Sequence, residues 1–140
     1  MKYNKIGNRI IAVLDTGEEI MASLLEIAAR EKIEGAELAG IGALGDVTLG
    51  YFDVNKKEYS KKTFAGSYEL VSLAGNIGRE GGGPVVHMHA TLGGPDFTAR
   101  GGHLFSGKVT VTAEIIITLT GGRIERKVNP EFGLKLITGD

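Results

Sequence analysis

Three histidines occur in this 140-residue sequence, and all three fall within residues 84–107, at His87, His89 and His103. On a strand, side chains alternate between faces, so His87 and His89 would project together while Val86, Met88 and Ala90 project the other way. Gly93-Gly94-Pro95-Asp96 is a turn signal that would fold residues 99–104 back beside the first strand and bring His103 to the pair. Three imidazoles on one sheet face would suit a divalent metal, with the fourth tetrahedral position left to water or a ligand. His-x-His also arises by chance, so the pattern alone leaves a metal site and three unrelated histidines both open. Zinc is the first expectation for an occupant, because neutral imidazoles suit it and no thiolate competes; iron, nickel and copper accept the same donors.

Chemistry beyond metal binding needs further groups. A general base beside a metal is usually a carboxylate, and the one nearby is Asp96, whose Gly-Pro setting suits turn chemistry better. A cupin-type site would carry a glutamate four or five residues after His-x-His, where this chain has Gly93 and Gly94. Arg100 is a candidate to hold an anionic ligand near the histidines, or else to pair with Asp96. Lys56, Lys57, Lys61 and Lys62 place four cations in eight residues. They read as a phosphate-contacting hairpin or, more in keeping with a neutral protein, as a solvated loop or protected edge strand. The glycine-rich residues 78–83 do not open a helix, so a connector is expected there rather than an anion-cradling loop.

Composition excludes several classes. Cysteine is absent, which removes disulfides, thiolate metal sites and cysteine nucleophiles. Sixteen Lys and Arg against seventeen Asp and Glu leave a net charge of −1, so no global field attracts nucleic acid. With no tryptophan, five phenylalanines and four tyrosines, stacking surfaces for single strands are scarce. At 42% hydrophobic and 24% charged residues the chain is expected to fold as one domain, 1–140. No apolar run reaches the roughly 20 residues of a membrane helix and no secretory signal opens the sequence, so a cytoplasmic location is the default expectation.

The elements that must position the histidines follow from periodicity. Thr16-Gly17-Glu18-Glu19 has capping-box spacing, and Ile20, Leu24, Ile27 and Ala28 recur at helical intervals, predicting one helix over 17–32. Strands are predicted at 8–14, 37–43, 46–54, 68–76, 85–92, 99–104, 108–119 and 123–128, with another at 134–137. Short connections between them favour antiparallel pairing. The fold class is therefore α+β: a largely antiparallel sheet packed against one main helix. On the strand 108–119, Val109, Val111, Ile115 and Ile117 share the expected core parity. Thr110, Thr112, Glu114, Ile116 and Thr118 form a mixed face suited to a subunit contact or solvent.

Several of these residues also carry a resemblance. Gly66-Ser67-Tyr68-Glu69-Leu70-Val71-Ser72-Leu73, residues 84–89, Leu92-Gly93, Gly101-Gly102-His103-Leu104 and Gly107 together resemble the PPC (plants and prokaryotes conserved domain) family over nearly the whole chain. That domain also forms the C-terminal part of plant AT-hook nuclear proteins. The resemblance implies a homotrimer, a regulatory or ligand-binding role, and an association with DNA or metal in which His87, His89 and His103 are the ligands. The Arg-Gly-Arg-Pro core of the plant AT-hook is missing, and Ser67 stands where the plant signature has arginine. A metal-dependent enzyme, a hydrolase or lyase acting on a small anionic substrate, is the alternative expectation.

Overall fold

The computed structural model describes residues 1–139; Asp140, the last residue of the expected domain, lies outside the described residues. The chain runs β1 (Lys2–Ile6), β2 (Arg9–Asp15), α1 (Ile20–Arg30), β3 (Ala36–Asp53), β4 (Glu58–Glu80), β5 (Gly83–Gly93), β6 (Ala99–Leu119), β7 (Arg126–Val128) and β8 (Lys135–Ile137). The predicted α+β architecture is observed: one helix and a mostly antiparallel sheet.

Strand order in the main sheet is β1-β2-β6-β3-β4-β5, and β5 pairs in addition with the start of β6. The ring β3-β4-β5-β6 is thereby closed. Its inner side and the apolar stripe of α1 share one core, in which Ile20, Leu24, Ile27, Ala28, Leu38, Leu44, Met88, Leu92 and Ile115 are buried. Burial of this apolar surface is the main force holding the sheet and helix together.

Several sequence expectations need correction. The helix begins at Ile20, three residues later than predicted. Its N-cap is Glu19, whose carboxylate accepts from the Ala22 amide at 2.7 Å, while the Thr16 hydroxyl donates instead to the Val111 carbonyl at 3.0 Å. The predicted strands 37–43 and 46–54 are one strand, β3, interrupted by register shifts at Gly40/Gly42 and Gly45/Val47. Strands 99–104 and 108–119 likewise merge into β6. A bulge bends a strand without ending it, so glycine and aspartate in these positions imitated turns. The glycine-rich residues 78–83 are the end of β4 and the start of β5 joined by a tight turn at Gly81 and Gly82, with φ of 55° and 88°, where a side chain would strain the backbone. Val111 leaves the expected core parity and is 69% exposed. Between Val109, paired with Leu44, and Ala113, paired with Gly42, β6 carries extra residues that rotate Val111 outward. Strand β1 had no counterpart in the sequence reading.

Candidate metal centre and its pocket

Strand β5 presents Met88 to the core and His87 and His89 to the opposite face. The turn at residues 94–98 is set by Asp96, whose carboxylate accepts from the Thr98 amide at 3.2 Å and hydroxyl at 2.7 Å. These bonds also hold its pKa below the usual carboxylate value. β6 then returns antiparallel in a register that sets His103 directly opposite His89. The ring centroids of the three histidines are 5.1 to 5.5 Å apart. Each can offer a ring nitrogen such that all three lie within 4.8 Å of one another. That spacing and the all-nitrogen donor set fit a divalent cation of the zinc class.

The surroundings of His87 and His103 favour the uncharged imidazole, the form that binds metal. Burial comes first in lowering the His103 pKa to about 4, followed by the neighbouring His87 and His89 and then by Lys61 and Arg126. His87 is shifted down too, by burial and then by Arg126. Around the histidines, the Tyr59 ring lies 5.0 Å from His103, tilted, and 5.0 Å from Phe105, edge to face, and Lys61 Nζ lies 3.8 Å over the Phe105 ring.

A cavity of about 430 Å³ opens beside the triad, bounded by Tyr59, Val85, Val86 and the β7–β8 hairpin. From that hairpin comes Arg126, only 4% exposed. Its guanidinium donates to Asn76 Oδ1 and to the Lys135 carbonyl, both at 2.6 Å, and lies 3.2 Å from His87 Nδ1. Its Nε is buried without a hydrogen-bond partner.

Of the other sequence candidates, Lys61 alone reaches this cluster. Arg100 pairs in register with Leu92, and its guanidinium lies 5.8 Å from the rings of both Phe64 and Tyr68. Lys56 lies 3.8 Å from the Asp53 carboxylate, and Lys57 occupies the β3–β4 turn in a left-handed conformation. Lys61 leans over Phe105 on the histidine face, whereas Lys62 is 5.3 Å from the Phe64 ring. The sequence reading missed Arg126 and Tyr59. Tyr59 could have been found by its alternation with Lys61 on a longer β4, but Arg126 carries no local signal because its role depends on where a separate hairpin docks.

No curated protein matches this chain. Solved structures do. A protein from Bacteroides thetaiotaomicron described as a "putative DNA-binding protein" is 34% identical, with a TM-score of 0.94 and coverage of 98% of this chain and 96% of the other. A plant- and prokaryote-conserved (PPC) protein from Pyrococcus horikoshii is 37% identical, with a TM-score of 0.87 and coverage of 99% and 95%. A metal-containing protein from Archaeoglobus fulgidus is 33% identical, with a TM-score of 0.86 and coverage of 99% and 100%. The Plants and Prokaryotes Conserved (PCC) domain model matches residues 1–120, a region that contains the three histidines and every strand of the main sheet. Taken with the shared sheet and helix, that match means the chain belongs to the Plants and Prokaryotes Conserved domain family.

Proposed function

We propose that this chain is a regulatory PPC-domain protein, acting as one unit over 1–140, that binds one divalent metal on His87, His89 and His103 and associates weakly with DNA. The observation that carries the metal reading is the convergence of three ring nitrogens within 4.8 Å on one sheet face. Zinc is the proposed ion, and the Archaeoglobus relative described as metal-containing supports a metal in this fold. When bound, such an ion supplies a Lewis-acid position to whatever occupies the adjoining cavity.

A homotrimer in the cytoplasm completes the proposal. The family resemblance supplies the number three, and no helix among the described residues is long and apolar enough to cross a membrane. Exposed Ile41, Val71, Val111 and Ile116 give an apolar outer surface for such contacts. DNA association rests on relatives described as "putative DNA-binding" proteins and on the lysines of the β3–β4 hairpin.

The cavity favours a second reading, a metal-dependent hydrolase or lyase acting on a small anionic substrate. Against it stands the lining: no carboxylate is present there to serve as general base. The decisive experiment is elemental analysis of protein purified without an affinity tag, compared with His89→Ala. About one metal per chain in the parent and none in the variant is expected. Equal metal in both would remove the histidine site.

A further inference from the structure

Arg126 has the burial of a core residue and the charge of a surface one. It is 4% exposed, no carboxylate lies within 4.0 Å of it among the described residues, and its hydrogen-bond acceptors are neutral. Buried charges are ordinarily paired, because an uncompensated one gives up its hydration with nothing in return. Here the guanidinium borders the cavity beside the histidines, whose lining has no acidic side chain; Lys135, also in the lining, is already paired with Glu80 at 2.5 Å. A divalent ion on neutral imidazoles would add further positive charge to the same space. The lining also carries an apolar surface, formed by Val85, Val86, Leu134 and Leu136. At about 430 Å³ the cavity lies in the range of small-molecule sites.

We infer that this cavity binds a small monocarboxylate with an apolar body, its charge compensating Arg126 and its body lying against the four aliphatic side chains. The inference rests in part on the metal reading, since the ion would strengthen the pull on the carboxylate. It also separates recognition from the segment that defines the family: Arg126, Leu134 and Leu136 lie beyond residues 1–120. The β7–β8 hairpin therefore chooses the ligand, while the strands beneath it hold the metal.

Calorimetric titration with hexanoate, hexanamide and inorganic phosphate tests this on protein whose zinc content has been measured first. Zinc-loaded protein is expected to bind hexanoate about ten-fold or more tightly than either hexanamide or phosphate. Leu136→Glu, at a partly exposed position of the lining, places a negative charge in the wall and should weaken hexanoate by a similar factor with zinc content unchanged. Arg126→Gln should do the same wherever it folds. Hexanamide binding as well as hexanoate, phosphate binding more tightly than hexanoate, or an unaltered Leu136→Glu variant would each overturn the inference. Failure to take up zinc would sink the metal reading alone. Hexanoate would then still be expected to bind better than hexanamide to the metal-free protein, and equal binding there would defeat the carboxylate site.

Discussion

Gly75 offers a direct test of how closely β4 and β5 must approach to hold the histidines. It pairs with Met88, and a β-carbon added to it would press on the carbonyl oxygen of His87 and lie 2.9 Å from the Met88 Cα. Both neighbours are backbone, so no rotamer change relieves the crowding. Forcing an extra carbon into a packed site typically costs 1–3 kcal/mol, and a backbone-limited case belongs near the top, about 2–3 kcal/mol. For a chain between the size classes for which shifts are known, each kcal/mol moves the Tm by roughly 3–5 °C, so Gly75→Ala should lower it by roughly 6–15 °C. Because the displaced backbone is that of His87, zinc affinity should fall by about ten-fold or more. Differential scanning calorimetry of the metal-free protein and a competitive zinc titration measure the two effects at one fixed protein concentration. Gly66→Ala is the control. Gly66 has φ of 91° and nothing within 4 Å of the added carbon, so it should lose about 1 kcal/mol from backbone strain and leave zinc affinity unchanged. A Gly75→Ala protein with parental Tm and zinc affinity would refute the close approach.

Met88→Ala empties the core directly beneath the histidine pair, and chemical denaturation should show a loss of about 2–5 kcal/mol with m-value unchanged. Replacing Lys56, Lys57, Lys61 and Lys62 together by Gln should abolish a weak, steeply salt-dependent duplex binding in fluorescence anisotropy; tight binding at physiological salt in the quadruple variant would show that other surfaces contact DNA. Light scattering at micromolar concentration should give three times the 14.8 kDa chain mass, and a monodisperse monomer would remove the trimer. Ile116→Asp, at an exposed position, should dissociate that trimer while leaving helical content and zinc uptake in place.

The histidine cluster was legible because each step rests on local rules. Alternation puts His87 and His89 on one side, and the turn at Asp96 fixes the register that sets His103 against His89. The helix was legible for the same reason: one apolar stripe at period 3.6. Bulges were not, since Gly42 and Gly45 satisfy turn rules and strand rules alike, and only the continuous partner strand decides between them. β1 escaped because Lys2–Ile6 is a polar edge strand with four of its five residues exposed, the composition that edges use to avoid further pairing. Arg126 escaped because nothing in Arg126–Val128 indicates that the hairpin folds over β4 and β5.

β6 has three partners: its first residues pair with β5, its last with β2, and β3 runs along its other side. On a ribosome, the three strands that pair with it therefore each emerge with an edge they cannot yet close. The nascent β2, β3 and β5 wait for a segment made late, and the helix waits with them because its core includes Val109, Ala113, Ile115 and Ile117. Such long-range closure makes folding slow relative to local assembly and leaves unpaired strands open to other chains in the meantime. Synthesis that stalls before Leu119 would release a sheet without its central member, a species predisposed to aggregate rather than to fold in part.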